Sequence, residues 1–176
     1  MTGETMKDFF SDPFFLDWSF WARLGASLLC GGIIGLEREF HHKAAGLRTC
    51  TLISLGSCVF AMLSDMIART SHMAYDPTRI AGQVVTGVGF LGAGAIIHQG
   101  FTVSGMTSAA TIWVVAAVGV AAGVGFPLTA AVITACTILT LLPLGWLERH
   151  VLNKIPRSPS ETRGPALAVR NESEKF

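Results

Sequence analysis

The chain has 176 residues, of which 51% are hydrophobic and only 14% charged, with a net charge of +1 at pH 7. A soluble domain carries roughly a quarter charged residues, and nucleic-acid binding wants a basic face, so both classes are excluded. Between Arg79 and Glu148 no Asp, Glu, Lys or Arg occurs, and only His98 can titrate there.

A spanning helix needs about 20 mostly apolar residues, and the runs of this chain predict an all-α membrane protein, a bundle of about five transmembrane helices. Residues 1–17 read as an interfacial segment, because Phe9, Phe10, Phe14, Phe15, Trp18, Phe20 and Trp21 cluster ahead of the first apolar run and aromatic rings anchor at that level. Glu4, Asp8, Asp12 and Asp17 against Lys7 give the wrong charge for a removable signal peptide. The first helix is expected over Trp18 to Leu36, with Gly31, Gly32 and Gly35 towards its end. A polar hinge follows from Glu37 to Gly46, and the second helix covers Leu47 to Ile67.

Asp76-Pro77 signals entry to the third helix, expected over Ile80 to His98. At 100° per residue Gly82, Gly89 and Gly92 fall within about 80° of one another, and Gly87 and Gly94 form a second stripe on the other side. Small stripes let backbones approach closely in lipid, which predicts neighbours on both sides. A loop from His98 to Thr107 leads to a fourth helix, Ser108 to Val124. Gly125-Phe126-Pro127 breaks it, and a fifth runs from Pro127 to Leu147. Residues 18–147 thus form the membrane domain, and 148–176, with Pro156, Pro159 and Pro165 among charges, read as a disordered cytoplasmic tail.

Arg38, Lys43, Arg48, Arg149, Lys154 and Arg157 fall on one side of this layout, and Lys7, Arg69 and Arg79 on the other. The positive-inside rule then puts the amino terminus outside and the carboxy terminus in the cytoplasm, as an odd number of spans requires.

Candidate sites are few. Gly87-Val88-Gly89-Phe90-Leu91-Gly92 matches the dinucleotide fingerprint, but the next acid after Gly92 is Glu148, and the motif needs one about 20 positions on and a strand before it. The nucleotide reading is rejected in favour of helix packing. Glu37, Glu39, His41 and His42 raise a metal site, but Glu37 and Glu39 do not share a helix face, and a solvated hinge with local ion pairs is preferred. No metal site and no cofactor is assigned. Arg23 and Asp65 are ionisable groups inside spans, which are costly and tend to be paired or functional. They lie about 20 Å above Leu36 and about 27 Å above Leu47, so in a hairpin they either pair or snorkel separately. Cys30, Cys50, Cys58 and Cys136 form no CxxC pair and read as reduced packing residues. Ser54, Ser57, Thr86, Thr111, Thr134, Thr137 and Thr140 read as interhelical hydrogen-bonders. No nucleophile–base pairing, phosphate loop or zinc spacing occurs, and no enzyme is predicted.

Three blocks carry a resemblance: Gly35-Leu36-Glu37-Arg38-Glu39 with Ala45-Gly46-Leu47-Arg48-Thr49, then Arg79-Ile80-Ala81 with Val85 to Gly94, then Gly105 to Ala110 with Trp113 and Ala116 to Gly119. In order and spacing the chain resembles the MgtC/SapB family of bacterial inner-membrane proteins over about residues 20 to 147. Met106 and Ser108 depart mildly from the family's Gly-Leu-Thr-Thr-Ala. A short polar tail stands where many members carry a cytoplasmic C-terminal domain. The resemblance implies a role in magnesium homeostasis, stress adaptation and virulence, exercised through membrane partners, ATP synthase among them. It also marks Glu37, Arg38, Glu39 and Arg48 as hinge residues of functional interest. The expected surroundings are the lipid bilayer and other membrane proteins, with a homo-oligomer left open. The competing reading is a cation transporter or channel, against which stands the scarcity of carboxylates for a hard divalent ion.

Overall fold

The computed structural model describes residues 17–71, 77–99 and 102–150. Five helices follow in order: α1 (Trp18–Phe40), α2 (Leu47–Ser71), α3 (Pro77–Gly94), α4 (Met106–Gly123) and α5 (Pro127–His150). Four of them, α1, α2, α4 and α5, are long and apolar enough to cross a membrane. Helix α3 carries Arg79, Gln83 and five glycines in its 18 residues, and this composition keeps it below that standard. The interfacial segment and the polar tail expected at the two ends fall almost wholly outside the described residues.

Local chemistry sets the helix ends. Asp17, in extended conformation, accepts the Ser19 backbone N–H at 3.0 Å and caps α1, supplying an acceptor to an otherwise unsatisfied donor. At the end of α4 the Phe126 N–H donates to the Ala121 carbonyl and the Gly125 N–H to that of Ala122. With Gly125 at φ 99°, this is the double bond of a Schellman turn, and Pro127 then opens α5 where its missing N–H costs nothing.

Two expectations are corrected here. The segment before α4 is not a plain loop. Ile97–Gln99 (β1) and Thr102–Ser104 (β2) pair antiparallel, with His98 opposite Val103. Gly105 then caps α4 at φ 89°, and a Cβ there would collide with the Ala95 carbonyl, so the chain uses a residue without one. Helix α4 consequently starts at Met106 rather than Ser108.

The other correction concerns the glycines. Around a Cβ placed on Gly82, Gly87, Gly89 or Gly94 of α3 nothing lies within 4 Å, and around Gly92 only Ala109 does, at 3.7–3.8 Å. Within this chain the two α3 stripes therefore do not seat helices tightly. Close approach happens elsewhere. Gly31 and Gly35 of α1 lie against Ser54 and Leu47 of α2, where a Cβ would come within 2.6 and 2.8 Å, and Gly119 and Gly123 of α4 press on the Ser54 and Cys58 carbonyls of α2. Helix α2 thus packs against α1 through one pair of glycines and against α4 through another. Ile34, Cys50, Cys58, Val115 and Val118 lie in the core this creates.

Hydroxyl groups follow a different rule from the one expected. Thr86, Thr111, Thr134, Thr137 and Thr140 each donate to the carbonyl four residues back in their own helix, which satisfies a polar group in an apolar layer without a partner helix. Ser54 does cross: its Oγ donates to the Ser27 carbonyl at 2.9 Å and lies 3.1 Å from Ser27 Oγ. The first compact unit closes at Thr140, and the second begins at Leu141 with the last turns of α5.

Candidate functional site

Charged side chains gather at the two ends of α1. One cluster is built on Arg23, in the second turn of the helix. Its Nη1 donates to the Gly123 carbonyl at 3.1 Å and stands 3.7 Å from Asp65 Oδ2 near the end of α2. Both side chains are largely covered, with 20% and 16% of their surface exposed. Gly125 lies under the same guanidinium, and a Cβ on it would sit 3.3 Å from Nη2. A cation at a helix C-terminus meets carbonyls left without donors, so Arg23 ties α1, α2 and the α4–α5 turn together. The sequence offers the Arg23–Asp65 pair as one of two readings, but it does not point to Gly123 and Gly125. The glycine-aromatic-proline break at residues 125–127 was the available signal.

The other cluster lies at the last turn of α1. Arg38 donates from Nε and Nη2 to the two carboxylate oxygens of Glu37 at 2.6 and 3.0 Å. His41 Nδ1 lies 3.2 Å from Glu37 Oε1 and 2.9 Å from the Glu37 carbonyl oxygen. Glu37 and Arg38 are buried, at 8% and 3% exposure, which corrects the reading of the whole hinge as a solvated segment. Among the described residues Arg38 Nη1 is the buried side-chain nitrogen without a hydrogen-bond partner.

Glu39 faces outward and works differently. Its Oε2 accepts the Leu47 backbone N–H at 3.0 Å, so it caps α2 from eight residues away. Gly46 leaves the room, because a Cβ there would strike the same carboxylate. Arg48 is exposed on the first turn of α2, and Phe40 is 78% exposed at the end of α1. The structure therefore splits the four hinge candidates: Glu37 and Arg38 close on each other, Glu39 shapes the turn, and Arg48 faces out.

No group of three or more His, Cys, Asp or Glu side chains is placed to hold a metal ion among the described residues. The Gly87–Gly92 fingerprint falls wholly inside α3, with no phosphate-cradling turn.

Comparison with known proteins matches residues 24–150 to the MgtC family. Protein MgtC of Brucella abortus (strain 2308) is 49% identical over 113 residues, which is 64% of this chain and 46% of that protein. A protein of Escherichia coli (strain K12) named "Putative magnesium transporter YhiD" is 41% identical over 133 residues, covering 73% of this chain and 61% of that one. An uncharacterized protein of Haemophilus influenzae is 37% identical over 137 residues, covering 74% and 58%. The chain thus spans about half the length of the curated relatives it matches. No solved structure matches it.

Proposed function

Because the chain belongs to the MgtC family, we propose that it supports magnesium homeostasis and adaptation to stress, including virulence, by a non-enzymatic route through membrane partners. In this reading it sits in the bacterial inner membrane with its amino terminus outside and its carboxy terminus in the cytoplasm. ATP synthase is a candidate partner by family resemblance.

One observation carries the reading. The acids best placed to serve a cation along the spans are already engaged, Asp65 with Arg23 and Glu37 with Arg38 and His41. Hard divalent cations take six or more oxygen ligands, commonly carboxylates, and these two are committed to internal pairs. The α1–α2 connection instead offers Phe40, Lys43 and Arg48 outward, and exposed aromatic and arginine side chains are the types that dominate binding at interfaces. The test is growth support at low magnesium by chains carrying Phe40→Ala or Arg48→Gln. Both are expected to accumulate normally and to lose growth support, and undiminished support from both would refute a role for this surface.

Cation transport is the second reading, favoured by the name of the Escherichia coli relative. Ion selection there would fall to backbone carbonyls, for which the glycine-rich α3 is the candidate element.

A further inference from the structure

We draw no further inference here: the strongest candidate, the apolar groove between α2 and α3 with Gly56 and Gly87 in its walls, is an unpartnered apolar face, and nothing in the structure shows what covers it.

Discussion

Arg23 stands 3.7 Å from Asp65 and donates at 3.1 Å to the Gly123 carbonyl, so a single guanidinium holds three helices at one end of the bundle. A hydrogen bond to a charged group contributes about 1.5–3 kcal/mol, and this one is largely covered. Arg23→Ala is expected to destabilise the protein by about that amount in a thermal melt in detergent. Asp65→Ala should cost less, because Arg23 keeps Gly123. A double-mutant cycle should give a coupling above experimental error, and zero coupling would mean that each charge reaches water separately.

The glycines divide into two classes with opposite expectations. Gly119 and Gly123 press on the backbone of α2, which cannot move aside as a side-chain tip can. Gly119→Ala should cost at least the roughly 1–3 kcal/mol typical of overpacking. Gly89→Ala meets open space and should leave the melting temperature unchanged or raise it, since alanine favours helix.

Those two classes show where sequence reading reached its limit. Apolar runs and breakers located all five helices: length and hydropathy carry α1, α2, α4 and α5 directly, and the Asp76-Pro77 entry signal marks the less apolar α3. They did not reveal which side of α3 a neighbour takes, since lipid and a packed helix are equally apolar and hydropathy cannot tell them apart. Gly31 and Gly35 were visible as small residues, but only the path of α2 makes them contacts. Charge is misleading at Glu37 and Arg38: charged residues read as solvated, although a carboxylate and a guanidinium that neutralise each other can be buried together. The alternating runs Ile97–Gln99 and Thr102–Ser104 around Gly100 were a hairpin signal that the neighbouring apolar helices overshadowed.

Burial separates the hinge residues in experiment as well. Removing one partner of a buried ion pair typically costs about 3–5 kcal/mol, so Glu37→Gln should lower the amount of protein in the membrane. Arg48→Gln, at an exposed position, should shift stability by no more than about 0.5 kcal/mol. Immunoblots of membrane fractions beside detergent melts distinguish loss of protein from loss of activity.

Glu39 and Gly46 should behave as one unit. Loss of a helix cap costs about 0.5–2 kcal/mol, and Glu39→Ala is expected in that range because the Leu47 N–H loses its acceptor. Gly46→Ala displaces the same carboxylate, so it should cost a similar amount, and the double variant should be little worse than either alone. Additive losses would show that Gly46 is needed for a reason other than the cap.

Magnesium flux into proteoliposomes holding the purified chain alone tests the central claim most directly. With Asp65 and Glu37 held by arginines and the role assigned to partner contacts, uptake should match that of protein-free vesicles across the magnesium range. Saturable uptake that depends on the protein would contradict the account and make the chain a transporter in its own right.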